Sequence, residues 1–325
     1  MPEYRLVEHR GKFSLAYNEE GRGRVRVALG TDDRGLAESR ARDIWRERTR
    51  PATDRIADLW AVYVKDRKTT VARTDRFESL WKALEPHFGH RLGTAVNADD
   101  CRAYYKERRK LSKTNSTIRT ELEFLRACLH YRYGKGSTRL WFPPQSSPRD
   151  RYLTRAELDN LLEAIEAPHV RLFVILAITT GARMSAILDL TWDRVDLEAA
   201  TPIVDFQPAG RHQTNKRRTV VPLNKRATEA LRVAKTAALS EHVIEYDGQP
   251  IKSIRKAIRQ AAARSKVPCS PHVFRHTAGV WMAQADVPMQ KIAQYLGHTS
   301  TRVTEAVYAR YSPSFMADAS AALEF

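Results

Sequence analysis

The sequence predicts a multidomain, mainly α protein: a small strand-containing N-terminal module, a helical middle domain and a mixed α/β, mostly α, C-terminal domain. Three observations carry that expectation. A chain of 325 residues exceeds the size at which one core keeps growing. Apolar residues recur at helical spacing through most of the chain beyond residue 53, whereas residues 12–29 alternate with the period of two that a half-buried strand needs. Breaker-rich stretches near Pro51 and over 134–150 divide these regions.

The module spans residues 1–50. Residues 12–18 and 24–29 read as two strands about the turn Glu19-Glu20-Gly21-Arg22-Gly23, with Val25 and Val27 alternating with Arg24 and Arg26. A helix over 36–48 follows. Residues 51–136 read as successive amphipathic helices over 56–64, 73–84, 99–109 and 115–131. The last carries Ile118, Leu122, Leu125 and Leu129 at helical spacing, with Thr114 and Ser116 available as caps. Trp60, Tyr63, Phe77, Trp81 and Phe124 read as core rather than as base-stacking groups. Residues 137–150, with three prolines and no periodicity, read as a flexible linker. The domain over 151–325 opens on a capping signature, Thr154 followed by Glu157. An apolar helix over 170–178 then runs to a break at Gly181, and 213–223 reads as a basic turn leading into a strand.

Charge narrows the class of partner. The formal charge is +17 and the pI about 10.0, which favours a polyanion, because each neutralised phosphate releases condensed counterions. The excess is uneven, with 32 basic against 21 acidic residues in 1–150 and 23 against 17 in 151–325. It is densest between Cys101 and Arg119, where Arg102, Lys106, Arg108, Arg109, Lys110, Lys113 and Arg119 face Glu107 alone. The competing reading of such a run is a solvated helix face. Its near lack of acids assigns Arg102, Lys106, Arg109, Lys110, Lys113 and Arg119 to phosphate contact. The longest apolar run, 172–178, is too short to span a bilayer, and the basic N-terminus lacks the apolar core of a secretory signal. A cytoplasmic protein is therefore expected. Cys101, Cys128 and Cys269 show neither paired nor metal-type spacing, and Cys269 reads as a small hydrophobe.

Five signals follow one another in the last domain: Arg183 in TTGARMSAILDL, the stretch NKRRTVVPL, HVFRH with His272 and Arg275, LGH with His298, and Tyr308 in EAVYARY. A guanidinium among Leu, Ile and Met is costly unless it faces an anion; the alternative for Arg183 is an ion pair with Asp189 or Asp193. His272 and Arg275, three apart, share a helix face, where an arginine fork binds two phosphate oxygens and an imidazole takes a proton near neutral pH. His276 lies four from His272, but a zinc-protease helix needs Glu where Val273 stands. Between 269 and 311 the only acids are Asp286 and Glu305, too few for a two-metal nuclease. No metal is expected.

This ordered set resembles the tyrosine recombinase (phage integrase) family, over all of 151–325 and more loosely over the helices before it. The resemblance implies a helical core-binding domain, including the turn at Phe88-Gly89, and a mixed α/β, mostly α, tyrosine recombinase catalytic domain. The strand-rich module is similar in shape to arm-site-binding domains, or serves as a cap. By resemblance Arg183 and Arg275 clamp the scissile phosphate, His298 donates to it, and Tyr308 attacks it to make a 3′-phosphotyrosine. Lys216 then protonates the departing 5′ oxygen, with Arg217 and Arg218 as neighbours on DNA. Lys216 suits the acid role better than either arginine, since a guanidinium does not release its proton readily. Tyr311 is a rival to Tyr308. Relatives usually carry an acid where Ala186 stands, so the anchor for Arg183 is missing or comes from elsewhere, Asp189 being one candidate.

A phenol of pKa near 10 is about a thousandth ionised at pH 7, a handicap of roughly 4 kcal/mol that the cationic cluster and His272 would offset. The energy of the broken bond is kept in the covalent link, so no cofactor is expected. The implied partners are double-stranded DNA at recombination sites, a homotetramer on two duplexes, and accessory directionality or bending proteins, in the integration or excision of a mobile element. The competing readings are a type IB topoisomerase and a DNA-binding regulator that kept the fold and lost the chemistry.

Overall fold

The computed structural model describes residues 4–9, 11–19, 23–48, 53–69, 74–145, 150–208, 218–314 and 317–324. It divides into two compact units, Met1–Pro148 and Arg149–Phe325. Among the described residues no helix is long and apolar enough to cross a membrane.

The first unit begins with an antiparallel three-stranded sheet in the order β1 (Tyr4–His9), β2 (Lys12–Glu19), β3 (Gly23–Ala28), followed by helix α1 (Arg34–Arg48). The first strand was not expected from the sequence, because Tyr4–His9 carries little alternation of its own. The register sets Leu6, Leu15 and Val27 in one row, and Tyr4, Tyr17 and Val25 in the next. These rows build a small core with Leu29, Ala37, Ala41 and Trp45. The row Arg5, Ala16, Arg26 and the pair Asn18, Arg24 fall on the opposite face of the pleat, where all three arginines are exposed.

The helical part comprises α2 (Ile56–Lys68), α3 (Asp75–Leu84), α4 (Ala98–Lys110) and α5 (Asn115–Tyr133), with a π-helical turn at Glu85–Gly89 that holds the Phe88-Gly89 pair. Asn97 and Asp100 close a capping box on α4, and Thr114 caps α5 by accepting from the Thr117 amide. The five aromatics expected inside are inside or against this core. Within it Glu121, 4 % exposed, accepts from Tyr104 Oη at 2.7 Å and from Arg108 Nε at 3.0 Å. Burying that carboxylate is tolerable only because both partners face it.

The expected linker is corrected over its first half. Leu140, Trp141 and Phe142 pack on the helical core, Arg126 lies 4.7 Å over Phe142, and Arg119 donates to the Pro143 carbonyl at 3.0 Å. Two large aromatic rings supply enough apolar area to dock a segment that its prolines had marked as free.

The second unit is centred on α7 (Pro168–Thr180), whose run over 172–178 is wholly apolar and almost entirely buried. Around it stand α6 (Arg155–Glu163), α8 (Met184–Leu188), α9 (Lys225–Thr236), α10 (Arg255–Ser265), α11 (Pro271–Gln284), α12 (Met289–Leu296) and α13 (Thr301–Tyr308), with a terminal α14 (Ala317–Ala321). The expected capping box of Thr154 and Glu157 opens α6. A small antiparallel sheet joins β4 (Val195–Asp196), β5 (Ile203–Asp205) and β6 (Val220–Pro222), and a hairpin joins β7 (Glu245–Tyr246) to β8 (Gln249–Pro250).

Replacing Glu121 by Ala strands the Arg108 charge and the Tyr104 hydroxyl, so the variant should lose about 3 to 5 kcal/mol of unfolding free energy. Urea titration of the whole chain checks this, and a loss under 1 kcal/mol would contradict it.

Candidate active site

Four helix ends meet at the centre of the second unit. Helix α7 ends at Gly181, which adopts φ +60°. A Cβ there would stand 2.4 Å from Leu296 Cδ2, so glycine is required both for the left-handed turn and for the close approach of α12. The Gly181 carbonyl accepts from Arg275 Nη1 at 2.8 Å, and the Leu296 carbonyl accepts from Arg275 Nη2 at 2.6 Å. Arg275, on α11, thus ties the C-termini of α7 and α12 together from a position only 6 % exposed. Its fork matches two helix-end carbonyls that have no intrahelical donor.

Burial pushes the Arg275 pKa down to about 10, with Arg183 adding to the fall and Tyr308 opposing it. The group stays cationic at neutral pH. Arg183 stands at the N-cap of α8, half-buried, its pKa lowered by burial and then by Arg218. Arg218 donates to Asp189 Oδ2 at 2.6 Å, so the acid proposed to anchor Arg183 accepts from Arg218. Ala186 lies in the apolar core.

His298 follows Gly297, the left-handed residue that ends α12. Its Nδ1 is 2.8 Å from the hydroxyl of Thr304, a fully buried residue of α13. Burial, then Arg275 and Arg183, push its pKa down to about 4, so the ring is neutral at pH 7. Tyr308 ends α13 and is 5 % exposed. Its ring lies on Gly279 of α11, where a Cβ would meet Cζ at 2.4 Å and the hydroxyl at 2.8 Å. Burial raises its pKa, and Arg275 pulls the other way. Tyr311 has other partners: its ring packs against Tyr152 and stands edge-on to His276, and its hydroxyl accepts from Arg310 at 3.2 Å.

The structure thus brings Arg275 within electrostatic reach of Arg183, His298 and Tyr308, and Arg183 within reach of His298. His272 is exposed on the same helix as Arg275 and His276. Lys216 and Arg217 lie outside the described residues. The basic group of the first unit sits on α4, α5 and the turn between them: Lys106 and Lys113 are exposed, Arg102 pairs with Asp99 and Lys110 with Glu107, Arg109 donates to the Lys113 carbonyl, and Arg119 pairs with Glu123. Sequence reasoning passed over Gly181 as more than a break, and over Gly279, Thr304 and the positioning of His276. A glycine inside an apolar helix was the one legible sign of a close approach at 279. Among the described residues no three His, Cys, Asp or Glu side chains gather as a metal site.

The profile of the phage integrase family matches residues 151–314. An integrase of Streptomyces ambofaciens is 25 % identical over 268 residues, covering 70 % of this chain and 68 % of that protein. Tyrosine recombinase XerA of Thermococcus kodakarensis is 24 % identical over 225 residues, covering 66 % and 77 %. Among solved structures, the Tn1549 transposon integrase in complex with a circular intermediate DNA shares the fold with a TM-score of 0.69 at 17 % identity, over 84 % of this chain and all of that one. A lambda integrase tetramer bound to a Holliday junction matches with a TM-score of 0.62 at 17 % identity, over 94 % and 95 %.

Gly279→Ala should expel the Tyr308 ring from its seat and cost about 1 to 3 kcal/mol of stability. Modification of tyrosines by acetylimidazole, mapped by peptide, should then reach Tyr308, and protection equal to wild type would contradict the packing. The depressed His298 pKa also sets a sign. Between the ordinary imidazole value and about 4 the unfolded chain binds a proton that the folded ring refuses, so stability falls as pH drops through that window. His298→Asn should show a shallower fall over the same window in urea unfolding.

Proposed function

This chain belongs to the phage integrase family of tyrosine recombinases, and we propose that it is a site-specific recombinase that integrates or excises a mobile element through a 3′-phosphotyrosine intermediate. The observation that supports this reading is the grouping of Arg183, His298 and one buried phenol, Tyr308, about the guanidinium of Arg275. Two cations and a neutral imidazole donor suit the two non-bridging oxygens of a phosphodiester, on which charge builds in the transition state. Arg275 is held by two carbonyls before any substrate arrives, so little reorganisation is needed at the moment of reaction.

In the proposed step Tyr308 Oη attacks phosphorus, the bond to the 5′ oxygen breaks, and Lys216 Nζ protonates that oxygen. A free 5′ hydroxyl from the partner duplex reverses the sequence. Solved relatives of the same fold include an integrase in complex with DNA and a tetramer on a Holliday junction. We extend both to this chain: a homotetramer on two duplexes, with accessory bending or directionality proteins. The exposed arginines Arg5, Arg24 and Arg26 on one sheet face support a second DNA contact by residues 1–50, and the α4–α5 group supports phosphate contact beside the core site.

Suicide DNA that traps the covalent adduct tests the assignment. Tyr308→Phe should bind DNA with nearly wild-type affinity, since affinity comes mainly from phosphate contacts, and form no adduct. Tyr311→Phe should keep the adduct, and Arg275→Ala should slow its formation on the order of 10²-fold or more. A phosphotyrosine mapped to Tyr311 would overturn the nucleophile.

Lys216→Ala should slow cleavage of ordinary DNA by about 10²-fold, yet spare a substrate with sulfur at the bridging 5′ position, a leaving group that needs no proton. Equal slowing on both substrates would remove Lys216 from the acid role.

A further inference from the structure

The ring of His298 is neutral at pH 7, because burial, then Arg275 and Arg183, push its pKa down to about 4. It therefore carries one N–H and one lone pair. Only the nitrogen that holds the proton can donate to a phosphodiester oxygen, whereas the lone pair of the other repels such an oxygen. In a neutral ring the tautomer decides what the side chain can do.

The partner of Nδ1 sets that tautomer. Thr304 Oγ1 lies 2.8 Å from Nδ1, on a residue with no exposed surface. A threonine within a helix often turns its hydroxyl back to the carbonyl four residues earlier, which here is that of Ser300. Among the described residues Thr304 makes no such bond, and His298 is the partner of its hydroxyl. The hydroxyl proton thus has one acceptor, the Nδ1 lone pair. In the opposite tautomer Nδ1–H would donate to Oγ1 and leave the hydroxyl proton buried without an acceptor, which is costly. The count of donors places the ring proton on Nε2.

Thr304 also stands one turn before Tyr308 on α13, and these two are the buried residues of that helix. The bond to His298 therefore fastens the residues after Gly297 to the helix that carries the phenol. We propose that Thr304 is a positioning residue of this site: its hydroxyl donates to Nδ1 of His298, fixes the ring as the Nε2–H tautomer, and holds it in register with Tyr308 so that Nε2–H meets a non-bridging oxygen of the scissile phosphate. This rests on the reading of His298 as a donor to that phosphate. Thr304 touches no reacting atom and acts through the imidazole.

The test pairs a spectrum with a rate. Thr304→Val keeps the branched shape and removes the hydroxyl; Thr304→Ser keeps the hydroxyl and drops the methyl. In long-range 1H–15N spectra of the full chain with labelled histidine, the His298 signals are identified by their loss in His298→Ala. The wild type should show a bare Nδ1 and a protonated Nε2, and Thr304→Ser should keep that pattern. Thr304→Val should move both nitrogens to intermediate shifts, as two tautomers exchange. On suicide DNA, with the adduct mapped to Tyr308, Thr304→Val should slow single-turnover adduct formation on the order of 10- to 10²-fold, the effect of a misplaced group. Thr304→Ser should restore the rate. In a His298→Ala background Thr304→Val should slow the reaction no further, because the two side chains act as one unit. Thr304→Ala stands in if the Val variant does not fold. A slowing of full size in the His298→Ala background, a wild-type ring with its proton on Nδ1, or wild-type spectra and rate in the Val variant overturns the role of Thr304 alone. Adduct formation at the wild-type rate in His298→Ala overturns the reading of His298 as a phosphate donor, and this proposal with it.

Discussion

The buried guanidinium of Arg275 is the interaction on which the rest of the catalytic unit depends. Two carbonyls, those of Gly181 and Leu296, take its N–H groups, and each belongs to a helix end whose carbonyls have no intrahelical donor. That arrangement requires a left-handed residue after α7 and another after α12, and glycines stand at both places. It also leaves a positive charge in a low-dielectric setting with no carboxylate among the described residues bonded to it. Such a charge strengthens every interaction with an arriving anion, and it depresses His298 while opposing the rise in Tyr308.

Tyr308 carries two opposed influences. Burial against Gly279 and His276 disfavours phenolate, while Arg275 favours it. The protein holds this phenol protonated and ordered until a phosphate engages the cations beside it. The segment beyond it is pinned on both sides: Arg310 pairs with Asp150, and Asp286 accepts from Ser312 and Ser314. These contacts fix the turn that separates Tyr308 from Tyr311, and they account for the different surroundings of two tyrosines three residues apart.

In the first unit polar contacts orient rather than react. Glu121 binds Tyr104 and Arg108 across α4 and α5, setting the pitch between α5 and the helix that exposes Arg102, Lys106, Arg109 and Lys110. Cation–aromatic contacts from Arg102, Arg119 and Arg126 hold Trp141 and Phe142 against the same helices. Arginines counted as surface charge thus also serve as packing, because a guanidinium plane covers an aromatic face.

The sequence by itself determined the class of fold, the helices of the first unit and α6, α7 and α11 of the second, the caps at Thr114 and Thr154, and the order of the residues about the phenol. Those are local properties, carried by periodicity, capping residues and motif spacing. Only the tertiary structure decided that Asp189 accepts from Arg218, that Trp141 and Phe142 dock, and that His276 lies against Tyr308. It also decided the pairing of Tyr4–His9, whose weak alternation is completed by its partner strand. Each of these depends on which surfaces meet across the fold, as the bond from Arg275 to Gly181 spans 94 positions in the chain. Spacing along a sequence reports which residues share a helix face, and says nothing of what the opposing face presents.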